Sequence, residues 1–390
     1  MHNFVIREIK NTDIETELFR VGFDKSYISK AKEKYEYKNI KIYSLTPAMA
    51  NILKQTAISV GCDCATHREV ITGKIEDSNC ILGGSISQIK KVAEKLRFQP
   101  FGLKKLGEEF EKLCSPLEGG PKSEISRRGK TQLVGILNLT PNSFSDGGMY
   151  NDFEKAKEHL LELINDGADI VDIGAESTKP YSQAVSSKDQ LEKLLPIIDF
   201  AKGKISLSID TRSAEVAEEC VKAGANIIND VSGLDYDKKM VDVIAKYNVP
   251  VVIQHSKGNP ENMQNSPTYT DLMEEIFLNL REKINFAQSK GVNNVIIDPG
   301  IGFGKTRENN FEIIRRVEEF QSLGCPIMLG VSRKSLLDMQ NADNFDKDAY
   351  TTALNALAIE RNVDYIRVHN VKMHRKLIDL MDMFMVRLSR

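Results

Sequence analysis

The sequence predicts an α/β protein, a (β/α)8 TIM barrel preceded by a smaller α/β N-terminal domain. From Leu133 onward, eight short apolar runs rich in β-branched residues recur, and a helix-length amphipathic stretch follows each run. Eight strand–helix units over residues 133–390 match the usual count and the length of roughly 250 residues of such a barrel. A doubly wound open sheet is the alternative, which we disfavour because a Gly-x-Gly-x-x-Gly turn does not follow the first strand.

The strand and helix patterns of the predicted barrel alternate regularly along the chain. Each apolar run has the length of a buried strand, and each intervening stretch has the length and mixed composition of a surface helix. The predicted strands span residues 134–139, 170–173, 205–209, 227–228, 249–253, 295–297, 326–329 and 365–368, and the predicted helices span residues 152–166, 186–201, 213–223, 237–247, 269–290, 308–323, 346–361 and 372–388.

The N-terminal part of the chain has a different organisation. Residues 1–114 predict a small α/β domain of unassigned role, because its residues assemble no chemical site in the sequence. Residues 115–130 combine Pro, Gly and charge, as linkers do, and residues 131–390 form the barrel. In the first domain the predicted strands are 4–9, 39–43 and 80–82, and the predicted helices are 48–60, 86–96 and 103–113.

Composition indicates an ordinary soluble protein. Of 390 residues, 41% are hydrophobic and 28% are charged, and the net charge of −2 provides no general attraction to nucleic acid or to an anionic membrane. The sequence has no apolar run near the ~18 residues of a membrane-spanning helix, and its N-terminus does not resemble a signal peptide. We therefore expect a cytoplasmic protein without nucleic-acid or membrane partners.

The cysteines suggest free thiols. Cys62, Cys64, His67 and Cys80 form a loose group that could hold zinc, but its spacing is not a standard ligand pattern. Reduced thiols in a reducing compartment are the favoured interpretation.

The first predicted barrel strand runs directly into a long polar loop. Thr140-Pro141-Asn142 ends the strand, because proline cannot continue a central ladder. The loop up to Gly148 is rich in Asn, Ser, Asp and Gly, and it includes Phe144 and Asp146. Such a loop above a buried strand can close over an anionic substrate. The alternative interpretation is an ordinary turn.

Polar residues stand where nearly every barrel strand ends. In this fold the carboxyl ends of the strands surround the active site. One such residue alone can be structural, as Asp210 would be if it capped the helix from Ser213. Together they predict a site for a polar ligand, because buried polar groups need partners. The residues are Asn138, Asp210, Asn229, Asp298, Lys334, Arg367 and His369.

The residue types indicate a phosphorylated heterocycle. The carboxylates Asp210 and Asp298 with the amide of Asn229 suit a flat ring that presents an amino–amidine edge. A second group suits phosphate oxygens, together with Mg²⁺, which prefers oxygen ligands. This second group comprises Asn138, Thr178, Lys179, Arg367 and His369.

Five motifs in order carry a resemblance to a known family. They are Gly-Ile-Leu-Asn-Leu-Thr-Pro-Asn-Ser-Phe-Ser-Asp-Gly-Gly at 135–148, Asp-Ile-Gly-Ala-Glu-Ser-Thr at 172–178, Asp-Pro-Gly-Ile-Gly-Phe-Gly-Lys at 298–305, Ser-Arg-Lys-Ser at 332–335 and Arg-Val-His at 367–369. Residues 133–390 thereby resemble the dihydropteroate synthases of the pterin-binding TIM-barrel family. The resemblance implies a Mg²⁺-assisted condensation of 6-hydroxymethyl-7,8-dihydropterin diphosphate with p-aminobenzoate, giving 7,8-dihydropteroate and pyrophosphate.

The resemblance also implies roles for individual residues. Lys334, Asp146 and Phe144 would act in catalysis, the last two from the first loop. Ser335 at a helix N-terminus and Arg333 would receive the p-aminobenzoate carboxylate. The pterin would contact Asp210, Asn229, Asp298 and Lys334, and Phe303 would also bind substrate. The diphosphate would contact Asn138, Thr178, Lys179, Arg367 and His369, with Mg²⁺ near Asn138.

Three departures from the family pattern are present. Lys179 stands where Arg is usual, Asn370 stands where Asp is usual, and the segment 254–260 differs from the usual Met-His-Met-Arg/Gln-Gly-Thr-Pro. None removes a group with an implied essential role. The alternatives are a pterin-barrel methyltransferase with a corrinoid partner and a non-catalytic pterin-binding paralogue.

We expect a homodimer. The last helix has an apolar face, for which packing on the barrel is the favoured interpretation and a dimer contact is the lesser one. The residues of this face are Leu377, Leu380, Met381, Phe384, Met385 and Leu388.

Overall fold

The chain divides into two compact units, Met1–Glu118 and Gly119–Arg390, and each has its own hydrophobic core. The division falls within the segment 115–130 that the sequence predicts as a linker. A computed structural model describes residues 6–7, 9, 14–115, 130–139, 148–176, 185–257, 267–339 and 343–386.

The first unit packs helices against one face of a three-stranded antiparallel sheet. Its central strand, β3 (Ser78–Ser85), pairs with β1 (Tyr37–Leu45) on one side and β2 (Asp63–Thr66) on the other. Alternate side chains of β3 face the core, so that Leu82 is buried whereas Ile81 is exposed. The helices of this unit are α1 (Ile14–Arg20), α2 (Ile28–Lys32), α3 (Pro47–Ile58), α4 (Ile86–Leu96) and α5 (Leu103–Cys114).

Most elements predicted for this unit are confirmed. The helix α4 has the predicted bounds, and a capping box between Ser85 and Gln88 defines its start. The predicted strands 39–43 and 80–82 and the other two helices are also present, and the sequence missed α1, α2 and β2. Of the predicted strand 4–9, the described residues 6, 7 and 9 belong to no helix or strand, and the others lie outside the described residues.

The second unit contains a parallel sheet with helices between successive strands. Within the described part of the chain, eight strands form this sheet in the order β10-β11-β4-β5-β6-β7-β8-β9. The strands are β4 (Gln132–Asn138), β5 (Ile170–Gly174), β6 (Ser206–Asp210), β7 (Ile227–Asp230), β8 (Val251–Gln254), β9 (Val295–Asp298), β10 (Met328–Leu329) and β11 (Tyr365–Val368).

The sheet closes into a barrel. The end strands meet where Ile297 of β9 forms a parallel bridge with Ile327, the residue before β10. Closure encloses an apolar layer inside the barrel and excludes the open doubly wound sheet. The side chains of this layer are Val134, Ile170, Ile227, Val252, Ile296, Met328 and Tyr365.

The helices surround the sheet and bury their apolar faces against it. One prediction was wrong: the segment 308–323 is not one α-helix, because Arg316 leaves the α region with φ of −117° and a 3-10 helix, Val317–Leu323, follows. Apolar periodicity alone does not distinguish these two helix types. The helices are α6 (Gly148–Asn165), α7 (Ser187–Ala201), α8 (Ala214–Ala223), α9 (Met240–Tyr247), α10 (Leu272–Ser289), α11 (Arg307–Arg315), α12 (Asn344–Glu360) and α13 (Val371–Val386).

The last helix contradicts part of its predicted packing. Leu377 is buried and Met381 packs against the core, but Leu380 and Phe384 are 58% and 56% exposed. The apolar stripe is wider than the surface that the barrel covers. Met385 and Leu388 lie outside the residues whose side chains the structure describes. Within the described residues, no helix has the length and apolar character needed to cross a membrane.

Candidate active site

The predicted polar residues of the described strands converge at one end of the barrel. Asp210 ends β6 and lies in register with Asn229 of β7, and Asp298 ends β9. Lys334 follows β10, and Arg367 belongs to β11. Electrostatic interactions connect Lys334 with Asp210, Asp298 and Arg367, which places all four in one cluster.

Arg367 holds two buried carboxylates together. Its Nε donates to Asp172 Oδ2 at 2.6 Å, and its Nη2 donates to Asp210 Oδ2 at 2.9 Å. Asn229 Nδ2 also donates to Asp172 Oδ2, at 3.1 Å. Asp172 therefore orients Arg367 and Asn229, two of the predicted binding residues.

Asp210 is not the helix cap that its position also allowed. Ser213 caps α8 with its own hydroxyl, and Asp237 accepts the N–H of Ala214. Burial raises the pKa of Asp210 to about 7, with the Asp172 carboxylate adding to the rise and Arg367 opposing it. The carboxyl group is therefore poised to change charge near neutral pH.

The Gly300–Gly304 turn follows Asp298 closely and contains Phe303. The N–H of Gly300 donates to Asp298 Oδ1 at 2.7 Å. Gly300 has φ of +72°, and a Cβ there would lie 1.8 Å from the carbonyl oxygen of His255. Only glycine fits, so this turn is a close approach of two backbones and not merely a tight connection.

A buried lysine supports this turn from below. Lys305 Nζ lies 2.9 Å from His255 Nδ1 and donates to the carbonyl oxygens of Phe303 and His255 at 3.0 and 3.3 Å. Burial lowers the pKa of Lys305 well below its ordinary value, and burial with the Lys305 charge lowers the pKa of His255 to about 2. His255 is therefore a neutral acceptor for Lys305 at physiological pH.

Lys334 contacts the Gly300–Gly304 turn beside the cluster. Its Nζ donates to the carbonyl oxygen of Ile301 at 2.5 Å and lies 4.7 Å from the ring centroid of Phe303. Gly302 leaves room for it, since a Cβ there would lie 3.1 Å from Lys334 Cδ. Burial lowers the pKa of Lys334 to about 8, and Asp298 opposes the change. Lys334 is thus mainly protonated at neutral pH.

Ser332 orients His369. Its Oγ accepts the backbone N–H of His369 at 3.1 Å and lies 3.0 Å from the ring Nδ1. The hydroxyl has one hydrogen, which it can donate to Nδ1 of the neutral ring. That arrangement places the ring hydrogen on Nε2, where it can be donated to a ligand.

The structure changes the expectations for the two residues that the family resemblance assigns to the p-aminobenzoate carboxylate. Ser335 begins only a three-residue 3-10 helix, Ser335–Leu337, so a strong helix dipole is not present there. Arg333 is held by Asp348 of α12: its Nε and Nη2 donate to the two carboxylate oxygens at 2.9 Å each. This bidentate pair uses two of the five guanidinium donors.

Hydrogen bonds join the residues on either side of the second polar loop. Before it, Glu176 accepts two hydrogen bonds from Arg212, at 2.9 and 3.1 Å, and one from the N–H of Val185 after it, at 3.2 Å. Gln190 Nε2 donates to the carbonyl oxygen of Val185 at 3.0 Å. Asn138 lies at the exposed end of β4. The predicted residues Phe144, Asp146, Thr178 and Lys179 lie outside the described residues.

Sequence reasoning missed the residues that support the site. Asp172, Glu176 and Lys305 lay inside quoted motifs without a role, and Asp348 lies on a helix outside any motif. An isolated Asp in the apolar strand β5 was a usable signal, because a buried carboxylate needs a partner. The position of Asp348 had no comparable signal.

Known proteins resemble this chain over the barrel region. Residues 134–369 match the sequence profile of the pterin binding enzyme family. A dihydropteroate synthase of Clostridium beijerinckii is 45% identical over 248 residues, which are 62% of this chain and 90% of that protein. A solved structure of Xanthomonas albilineans dihydropteroate synthase with 4-aminobenzoic acid superposes with a TM-score of 0.62 at 33% identity, covering 67% of this chain and 94% of that one.

One relative extends further along the chain. A probable bifunctional folylpolyglutamate synthase/dihydropteroate synthase of Haloferax volcanii is 34% identical over 341 residues, or 83% of this chain, and the chain spans 40% of that protein. The family match covers more than half of the chain and lies on the barrel that carries the polar cluster. The chain therefore belongs to the dihydropteroate synthases of the pterin binding enzyme family, which are transferases of folate biosynthesis.

Proposed function

We propose that the protein condenses 6-hydroxymethyl-7,8-dihydropterin diphosphate with p-aminobenzoate, giving 7,8-dihydropteroate and pyrophosphate. The cluster around Asp210 carries the proposal. Asp210 is buried, and within the described residues its Oδ1 has no hydrogen-bond partner. A buried carboxylate oxygen requires a donor, and the amino–amidine edge of a pterin supplies one.

The pterin lies among Asp210, Asn229, Asp298 and Lys334 in this proposal. Asp298 is buried, and burial raises its pKa above the ordinary value while Lys334 opposes the rise. Asp298 accepts from the ring and Lys334 donates to a ring acceptor, with Phe303 beside it. The opposite charges of the cluster match the alternating donors and acceptors of the heterocycle.

The diphosphate lies beside Arg367 and His369. Arg367 has three donor hydrogens beyond the two that bind Asp172 and Asp210. His369 offers Nε2 when Ser332 binds its Nδ1. The amide oxygen of Asn138 fits Mg²⁺, a hard cation that keeps several waters and prefers substrate phosphates. Bound there, the ion would neutralise charge on the departing pyrophosphate.

The protein acts by electrostatic stabilisation in this mechanism. The C–O bond between the pterin methylene and the diphosphate breaks with its electron pair on pyrophosphate, and the amine nitrogen of p-aminobenzoate forms the new C–N bond. The amine then releases a proton. Arg367 and His369 stabilise the charge that develops on the leaving group, and Arg333 with Ser335 holds the aminobenzoate carboxylate.

Pyrophosphate release from purified protein tests this function. The assay supplies dihydropterin diphosphate, p-aminobenzoate and Mg²⁺ to the wild type, Asp298→Ala and Lys334→Ala. We expect release that requires p-aminobenzoate and falls at least about 100-fold in both variants, the size of the loss when one group that stabilises the transition state is removed. Two exposed positions, Asp199→Ala and Lys238→Ala, serve as matched controls and should retain activity.

Other outcomes would contradict the proposal. Pterin binding without turnover would favour the non-catalytic paralogue. Release that continues without p-aminobenzoate would indicate hydrolysis rather than transfer. Turnover that is unchanged by chelation of Mg²⁺ would remove the ion from the mechanism while leaving the substrates in place.

A further inference from the structure

Asp348 is the buried centre of a chain of hydrogen bonds beside the site. It lies on α12 and is 4% exposed. Its two oxygens accept from Arg333, and Oδ2 also accepts from Asn370 Nδ2 at 3.0 Å. Burial alone would raise the pKa of Asp348, but the hydrogen bonds from Arg333 and Asn370 outweigh it and lower that pKa below its ordinary value.

Asn370 makes two contacts, one as acceptor and one as donor, that only an amide can make together. Its Oδ1 accepts the N–H of Met373 at 3.1 Å and so caps the start of α13. Its Nδ2 donates to Asp348. Aspartate, the residue that the family resemblance leads us to expect here, could make the cap but could not donate. It would place a second carboxylate about 3 Å from Asp348, and repulsion between the two negative charges would make the pair take up a proton at a higher pH than an isolated carboxyl group does.

This arrangement fixes the position of Arg333. Its backbone has φ of +54°, a left-handed conformation that is strained for a non-glycine residue. The bidentate bond to Asp348 holds this conformation and fixes the guanidinium plane. Arg333 directly precedes Lys334 and Ser335, so its position affects the end of the site where p-aminobenzoate is proposed to bind.

We propose that Asn370 is a positioning residue for p-aminobenzoate recognition, because it holds Asp348, and Asp348 in turn holds Arg333. This inference rests on the proposed function. The amide–carboxylate–guanidinium chain sets affinity for the aminobenzoate carboxylate and leaves pterin binding unchanged, because its hydrogen bonds join Asp348 to Arg333 and Asn370 rather than to the pterin cluster.

The test compares Asn370→Asp with the wild type in the full-length protein. The variant keeps the helix cap, loses the donor and adds a negative charge. We expect KM for p-aminobenzoate to rise about tenfold at pH 8, with KM for the pterin substrate and kcat within about twofold. Asn293→Asp, an exposed asparagine before β9, is the matched control and should change none of these values.

A pH series adds a readout that simple destabilisation would not change. The paired carboxylates of Asn370→Asp share a proton as the pH falls from 8 to 6, so its KM should move toward that of the wild type. Within the described part of the chain, Asp348 interacts electrostatically with Arg333, His369 and His374, and these groups are the same in both proteins. The ratio of the two KM values therefore isolates the new carboxylate.

A swapped double variant separates folding from positioning. In Asp348→Asn/Asn370→Asp the amide again donates to a carboxylate, so thermal stability should recover. Arg333 no longer faces a carboxylate at position 348, so KM for p-aminobenzoate should remain high. Recovery of both quantities, or of neither, would overturn the positioning role.

Calorimetric binding of 4-aminobenzoate keeps this inference distinct from the proposed function. A weaker Kd for Asn370→Asp, in a protein that binds 4-aminobenzoate but shows no turnover, would support the inference and contradict the function. Turnover with unchanged KM values would support the function and overturn the inference. A wild type that neither turns over substrate nor binds 4-aminobenzoate would overturn both.

Discussion

At the scale of single residues, the site depends on two ionisable groups whose pKa values lie close to neutral pH. Asp210 and Lys334 have pKa values of about 7 and about 8, both displaced by burial. Asp172 and Arg367 fix the first of them, and the Ile301 carbonyl and Phe303 fix the second. Their opposite directions of displacement leave a narrow pH range in which both groups are ionised.

We expect a bell-shaped pH profile for kcat/KM of the pterin substrate, which reports the free enzyme. As the pH rises through about 7, Asp210 loses its proton and can accept from the pterin, so activity increases. Above about 8, Lys334 loses its charge and activity decreases. Steady-state kinetics between pH 5.5 and 9.5 measure both limbs.

Two variants assign the limbs. Asp210→Asn should remove the acidic limb that belongs to the protein and retain only the titration of the substrate diphosphate. Lys334→Arg should move the basic limb beyond pH 9.5, because arginine does not titrate there. An acidic limb that is identical in the wild type and Asp210→Asn would contradict the role of Asp210.

A second prediction concerns Gly300. Gly300→Ala should lower kcat/KM at least about tenfold, because its Cβ would lie 1.8 Å from the His255 carbonyl and the bond to Asp298 would break. Gly291→Ala is the matched control: it shares a positive φ, of +88°, but its Cβ meets nothing within 4 Å. The control bears only the strain of about 1–2 kcal/mol of a left-handed residue. Equal kinetics for the two variants would contradict the close-approach argument.

At the scale of elements, polar side chains just before several strands accept hydrogen bonds from backbone N–H groups at the start of a neighbouring strand. Asp169 accepts the N–H of Leu133, Asn226 accepts that of Leu207, and Asp364 accepts that of Ile327. Each precedes an apolar run directly, at β5, β7 and β11. These bonds lie at the amino ends of the strands, where they contribute to the barrel and not to the site.

Asn226→Ala tests this contribution. The buried N–H of Leu207 would lose its side-chain partner, which costs about 1–3 kcal/mol of unfolding free energy. Urea denaturation should show a lower midpoint, and kcat/KM should remain near that of the wild type. Asn293→Ala, at an exposed asparagine with only a local bond, should shift the midpoint little. A midpoint equal to that of the control would show that the bond is replaced by solvent.

At the scale of the whole molecule, apolar surface remains on the last two helices. Leu380, Met383 and Phe384 of α13 are more than half exposed, and Leu357 of α12 is 44% exposed. The spacing of positions 380, 383 and 384 places these side chains on one face of α13, and exposed apolar faces commonly mark interfaces.

We expect a homodimer that uses this surface. Leu380→Glu/Phe384→Glu should shift the mass measured by light scattering from dimer to monomer, because a buried charge without a partner opposes association. Leu161→Glu, at a 40% exposed leucine of α6, is the matched control and should leave the mass unchanged. A wild type that is monomeric at micromolar concentration would contradict the prediction.

The sequence alone determined the alternation of strands and helices and the ring of polar strand ends. Both are local: apolar runs record burial, and a polar residue directly after such a run must lie at a strand end. Local pattern was therefore sufficient to place Asp210, Asn229 and Asp298 together. It was not sufficient for the 3-10 helix after Arg316, because the periodicity of that segment resembles that of an α-helix.

Only the tertiary structure decided which polar groups bind one another. Arg367 reaches Asp172 across 195 residues, and Asp348 joins Arg333 to Asn370 from a helix that carries no motif. Such pairs depend on strand register, on barrel closure and on how each helix is rotated against the sheet. Local pattern contains none of these quantities, because they arise only when distant segments pack together.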